Sequence, residues 1–136
     1  MEIKGITIHN SNNAFSAKEN AKLIGTKGYN SYHYLVDENE VIKLNDDVVV
    51  WHTGKGYDNG NLNTISVCIC KSITTNYLEA EKQAVLLIKK LLNKYMLSKN
   101  DIYFHNDWNI TKWCPHRTLD IYKSKTNWIE RNFNDK

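Results

Sequence analysis

With 136 residues, 41% of them hydrophobic and 24% charged, the chain has room for one hydrophobic core and none for a second. Four Trp, eight Tyr and three Phe exclude global disorder, and the longest aliphatic run, residues 84–88, is far short of the roughly 20 residues that span a bilayer. The net charge of +3 suits an anionic partner, but only Arg117 and Arg131 of the 18 basic residues are Arg, which speaks against sequence-specific nucleic-acid binding.

In chain order, residues 3–8 alternate and are β-branched, which predicts a strand. Ser16-Ala17-Lys18-Glu19 is a capping box and Gly28 a helix exit, predicting a helix over 17–27. Residues 32–36 and 41–44 flank the turn Asp37-Glu38-Asn39 and predict a hairpin, and 48–52 predict a further strand. Gly and Asn dominate 54–63, hence a loop, and 66–70 follow as a buried strand. A long helix is predicted over 77–96, its apolar stripe formed by Ala84, Val85, Ile88, Leu91, Leu92 and Tyr95, with Asn76 as its cap. Residues 102–104 predict a short strand ending at His105, and 117–128 a last helix behind Pro115. The order implies an α/β fold over 1–136: a single domain with a mixed central sheet and helices packed on it. No apolar stretch of signal-peptide length opens the chain, so neither a secretion address nor a membrane anchor is expected.

Three cysteines without a signal peptide do not make a disulfide framework. Cys68 and Cys70 share one face of their strand and read as packing thiols. Of the five histidines, His9 and His105 each end a predicted strand, a rigid place from which side chains converge on a cleft. Cys114 follows His105 by nine residues, across a loop holding Lys112 and Trp113. Two imidazoles and a thiolate suit zinc and leave a fourth position open, the arrangement of a catalytic site. On spacing alone, scattered core and surface histidines remain the alternative.

Four blocks in order change that balance: Ile6-Thr7-Ile8-His9-Asn10; Ser31-Tyr32-His33-Tyr34-Leu35-Val36-Asp37; Trp51-His52-Thr53-Gly54 leading to Asn63-Thr64-Ile65-Ser66-Val67-Cys68-Ile69; and His105-Asn106-Asp107-Trp108 leading to Lys112-Trp113-Cys114-Pro115. Together they resemble the zinc-dependent N-acetylmuramoyl-L-alanine amidases of the second type, the group of phage lysozyme-type amidases and peptidoglycan recognition proteins. The resemblance runs from about residue 3 to residue 122.

It implies zinc (Zn2+) held by His9, His105 and Cys114. Tyr32 would lie beside the attacking water and the scissile carbonyl, and Lys112 would face the developing oxyanion. His52 would line the groove, with Trp51 and Trp113 as groove walls for sugar or peptide. The bond cut would join N-acetylmuramic acid to L-Ala in peptidoglycan. His33 reads as a structural histidine and His116 as a surface or helix-start residue. A monomer is expected, without nucleic-acid partner. The enzyme would be cytoplasmic until released to the wall, by a holin if phage-encoded.

Two departures stand out. Many members carry Glu at the strand position read here as Cys70, and many lysins add a wall-binding module that this chain does not show. The main rival reading is a recognition domain that holds peptidoglycan without cutting it, though such domains usually lose the Cys ligand. A zinc finger would need close-spaced ligand pairs, and His9 lies nearly 100 residues from His105. A glycosidase would need two carboxyls flanking a cleft, and only the turn acids Asp37, Glu38 and Glu40 offer themselves.

Overall fold

A computed structural model describes residues 1–24, 31–53 and 59–134. The strands are β1 (Gly5–Asn10), β2 (Tyr34–Val36), β3 (Val41–Lys43), β4 (Thr64–Ile69) and β5 (Ile102–Phe104). The helices are α1 (Ala17–Ile24), α2 (Asn59–Asn63), α3 (Tyr77–Lys94), α4 (His105–Trp108), α5 (His116–Tyr122) and α6 (Lys125–Phe133), with a 3-10 turn at Lys99–Asp101. One five-stranded sheet runs in the order β3-β2-β4-β1-β5, parallel except for the β2–β3 hairpin. The predicted mixed sheet flanked by helices is the observed architecture.

Alternation divides the central strands into two faces. Ile6 and Ile8 of β1 and Ile65, Val67 and Ile69 of β4 join the large core under α3, with Phe104, Trp128 and Phe133. Thr7 and His9 of β1, and Thr64, Ser66 and Cys68 of β4, point to the other side and are also buried. The register sets Thr7 beside Ser66 and His9 beside Cys68.

Several local expectations hold. The capping box opens α1, with Ser16 N–H donating to Glu19 Oε1 (3.0 Å) and Glu19 N–H to Ser16 Oγ (3.1 Å). The Gly28 exit lies outside the described residues. Cys68 and Cys70 are free and buried.

Others are corrected. Residues 48–52 form no ladder strand: Val48 O is taken by His33 Nε2 at 2.7 Å, so an imidazole occupies a carbonyl a strand would use. The described end of the expected 54–63 loop is helix α2, because tertiary contacts outweigh the poor helix propensity of Gly and Asn. Asn76 precedes α3 without a side-chain cap bond. The last helix is two: Lys123 turns left-handed at φ 73°, and Ser124 restarts the chain by accepting from Asn127 N–H. Asp37 is buried rather than an exposed turn acid. Its Oδ1 accepts from Asn39 and Glu40 N–H, and its Oδ2 from Ala17 N–H, so it ties the hairpin turn to α1.

Candidate metal centre

Parallel β1 and β5 end side by side, so His9, near the end of β1, and His105, directly after β5, meet at one edge of the sheet. Their ring centroids are 4.7 Å apart. The loop that returns Cys114 is closed by Asn106 N–H donating to Cys114 O at 3.1 Å, one residue past His105. Asn10, one residue past His9, fixes the other side. Its Oδ1 accepts from Arg117 N–H (2.8 Å) and Thr118 N–H (3.3 Å), at the start of α5. Its Nδ2 donates to Tyr77 Oη (3.2 Å), anchoring the joint on α3.

The outcome is a group of three ligating atoms, from His9, His105 and Cys114, all within 4.8 Å of one another. His9 Nδ1 lies 3.9 Å from Cys114 Sγ. Bonds of about 2.0 Å to nitrogen and 2.3 Å to sulfur put the tetrahedral ligand atoms of two histidines and one cysteine roughly 3.3 to 3.5 Å apart. These residues therefore fit a metal ion with only a small contraction.

Burial keeps the group uncharged. His9 is held well below the ordinary histidine range by burial, then by His52, His105 and His33. Burial likewise brings His52 down to about 3, reinforced by His33 and His105. Cys114 is pushed up to about 11 by burial, against the pull of Asn10 N–H and the Lys112 charge. Neutral imidazoles are the ligand form, and a thiol gives up its proton to a metal.

Tyr32 stands at the site, its ring 4.9 Å from that of His9 and edge-on to it. Burial raises its pKa well above the tyrosine range, with Cys68 and Cys114 adding to the effect, so it remains a phenol and a donor. Of the two strand thiols it is Cys68, hydrogen-bonded to Tyr32 and in register with His9, that reaches the site. Cys70 meets Asn20, at α1, instead.

Lys112 is exposed in the turn closed by its N–H to Asn109 O, two residues before Cys114. Trp113 is 57% exposed and pinned by its indole N–H to Asp120 Oδ1 at 2.9 Å. Trp51 is half-buried, and its carbonyl accepts from Ser31 N–H.

His52 does not line an open groove. It is 6% exposed and lies behind His9, its Nδ1 2.9 Å from His9 Nε2. His33 is structural, as expected, between Ser66 and Val48 O, and His116 is the first residue of α5. Sequence reasoning passed over Thr7, Thr64 and Trp108, which carry hydrogen bonds behind the site. A hydroxyl side chain on the polar alternate positions of otherwise apolar buried strands is the signal that marks the first two.

A protein-family model described as N-acetylmuramoyl-L-alanine amidase matches residues 1–117. The chain is 36% identical over 135 residues to N-acetylmuramoyl-L-alanine amidase CwlA of Bacillus subtilis (strain 168), covering 96% of this chain and 48% of that protein. It is 39% identical over 126 residues to the amidase XlyB of the same organism, covering 88% and 39%. Thus the chain spans less than half the length of each. Among solved structures it is similar to that of PlyL, with a TM-score of 0.85 and 30% identity over 100% of this chain and 87% of that one.

Proposed function

The chain belongs to the N-acetylmuramoyl-L-alanine amidase family, and from that premise we propose that it is one catalytic domain that hydrolyses the amide bond between N-acetylmuramic acid and L-Ala in peptidoglycan. The observation that carries this reading is the convergence of His9, His105 and Cys114 with Tyr32 against His9. Zinc, held by the three ligands, would supply Lewis acidity for the carbonyl and lower the pKa of the attacking water.

The chain's own residues do the rest. Tyr32, kept protonated, orients the water or donates to the oxygen on which negative charge develops. Lys112 brings a positive charge to that oxygen from an exposed turn two residues before Cys114. Trp113, exposed but fixed by Asp120, offers a flat wall for the sugar or the stem peptide, and Trp51 is the second wall. Beside Tyr32 the strand carries Cys68 rather than a carboxylate. Among the described residues no helix is long and apolar enough to cross a membrane, and the cell wall is the expected place of action.

The test is digestion of purified peptidoglycan. New amino-terminal L-Ala without new reducing sugar ends is the expected product, suppressed by a chelator and restored by zinc. Reducing ends without amino termini would make the protein a glycosidase, and wall binding without either product would make it a recognition domain.

A further inference from the structure

Behind the metal ligands a continuous hydrogen-bonded chain runs across the sheet, from α4 to His9. It starts at Trp108, whose indole N–H lies 3.0 Å from Thr7 Oγ1. Thr7 Oγ1 is 2.7 Å from Thr64 Oγ1, and Thr64 Oγ1 is 2.6 Å from Gly60 O. From Thr64 the chain passes to His52 Nε2 at 3.5 Å, its longest link, and from His52 Nδ1 to His9 Nε2 at 2.9 Å.

Counting protons sets its direction. A carbonyl only accepts, so the single hydroxyl proton of Thr64 goes to Gly60 O. Thr7 must then donate to Thr64, and it accepts from Trp108, whose indole only donates. With its proton spent, Thr64 can only accept from His52, so the His52 proton sits on Nε2. Its Nδ1 is left with a lone pair, and the contact with His9 Nε2 requires that the His9 proton be there. His9 is thereby left with a bare Nδ1, the atom that faces Cys114 Sγ.

We propose that His52 and Thr64 are positioning residues that hold His9 in the one neutral tautomer able to bind metal through Nδ1. The inference rests on the zinc reading of the site. It goes beyond that reading by assigning the proton on each nitrogen and by moving His52 from the groove to the support of a ligand. A metal-bound imidazole whose second nitrogen donates to a fixed acceptor is oriented and made more basic.

The same chain joins both metal histidines, since Trp108 closes the helix that His105 opens. Two further features keep it in place. Asn61 Oδ1 accepts from the backbone N–H of both His52 (2.5 Å) and Thr53 (3.0 Å), fixing the backbone that carries the imidazole. A Cβ on Gly60 would stand 2.6 Å from Thr53 Cγ2 and 2.8 Å from Trp108 Cγ, so glycine there lets the indole reach Thr7 and the carbonyl reach Thr64.

The experiment reads protons and metal rather than turnover. In the unaltered, metal-free protein, long-range nitrogen–proton NMR correlations of the imidazoles should place the proton on Nε2 of both His9 and His52. A proton on Nδ1 of His9 would overturn the proposal without any variant having to fold. Thr64→Val should then weaken zinc binding, by competition against a chelating dye, on the order of 10- to 100-fold, the usual cost of losing such a support. It should also mix the two His9 tautomers. Thr64→Ser, which restores the hydroxyl, should recover both. Parent-like zinc affinity and a single His9 tautomer in a folded Thr64→Val protein would reject the positioning role. Because neither readout uses peptidoglycan, failure of the wall-digestion test would leave this result standing, and the reverse.

Discussion

The two faces of the sheet are both buried and do different work. Toward α3, the inward side chains of β1 and β4 are aliphatic and meet a cluster closed by Phe104, Trp128 and Phe133. Toward α1 and α2 the same strands present Thr7, His9, Thr64, Ser66 and Cys68, all buried, most of them hydrogen-bonded to one another or to His33, His52 and Trp108. The first face derives its stability from apolar area removed from water, a term without direction. Each hydrogen bond on the second adds little net stability, but a missing partner leaves a buried polar group unsatisfied. One face therefore holds the fold, and the other holds orientation. Changes on the first should be read in stability, and changes on the second in metal and turnover.

The largest separation is expected at the ligands. Cys114→Ala should abolish wall hydrolysis and remove tight zinc binding while leaving the metal-free protein folded, since it deletes one half-buried thiol. Metal analysis after gel filtration, beside circular dichroism, checks both halves. Cys70→Ala, on the same sheet face but turned toward Asn20, should keep zinc. On the apolar face, Trp128→Ala removes a fully buried ring that lies 5.4 Å from Phe104 and 5.2 Å from Phe133 between centroids. It should cost about 3 to 5 kcal/mol in denaturant unfolding. That is a large share of the roughly 5 to 15 kcal/mol of a typical domain. Zinc bound per folded molecule should not change. If Trp128→Ala lost zinc at temperatures where it remains folded, the division between the faces would fail.

Within the polar face, a second separation is expected between ligands and reacting groups. Lys112→Ala and Tyr32→Phe should each lower kcat on the order of 10² to 10³, about 2.7 to 4 kcal/mol, at unchanged zinc content and melting temperature. Wall-lysis rates within about threefold of the parent for either variant would remove that residue from the catalytic list.

How far this division was legible in the sequence differs between the faces. The α3 stripe, the alternating strands and the ends at His9 and His105 follow from period alone, because apolar burial is a local pattern repeated along each element. Resemblance to a known family then picked the three proposed metal ligands out of five histidines and three cysteines. The support behind them was not legible. Thr7 and Thr64 lie 57 positions apart and Trp108 lies 101 from Thr7, so their meeting depends on strand order, which no local pattern encodes. His52 looked like a groove residue for the same reason. The three valines at 48–50 promised a strand by propensity, yet the carbonyl of the first was already taken by His33. The break of the last helix could have been found, since Ser124 stands two residues past Tyr122 with the chemistry of a cap.

The smallest effect tests whether a polar pair at the rim of the apolar face behaves as the comparison requires. Tyr95, just past α3, donates its hydroxyl to Asp47 Oδ2, and Lys43 Nζ stands 3.6 Å from Asp47 Oδ1. Burial alone would raise the Asp47 pKa, but the Tyr95 hydroxyl and the Lys43 charge outweigh it and leave it below the ordinary 3.8. A carboxyl whose pKa is lower folded than unfolded contributes stability above its unfolded value and loses that contribution as pH falls through its folded value. Tyr95→Phe should therefore cost about 1 kcal/mol near pH 7, less than a fully buried charged bond because Asp47 remains partly in water. The gap between parent and variant should narrow below about pH 4, near the ordinary aspartate range, and close once Asp47 is protonated in both states. Denaturant unfolding of the two proteins across that range measures it. Zinc affinity should be nearly the same in both at neutral pH, because the pair touches the hydrogen-bonded chain behind His9 only indirectly, through His33, which binds the neighbouring Val48 carbonyl and stands 6.2 Å from His52 between ring centroids. A Tyr95→Phe protein with weakened zinc binding would show instead that the rim of the apolar face also sets the geometry of the metal site.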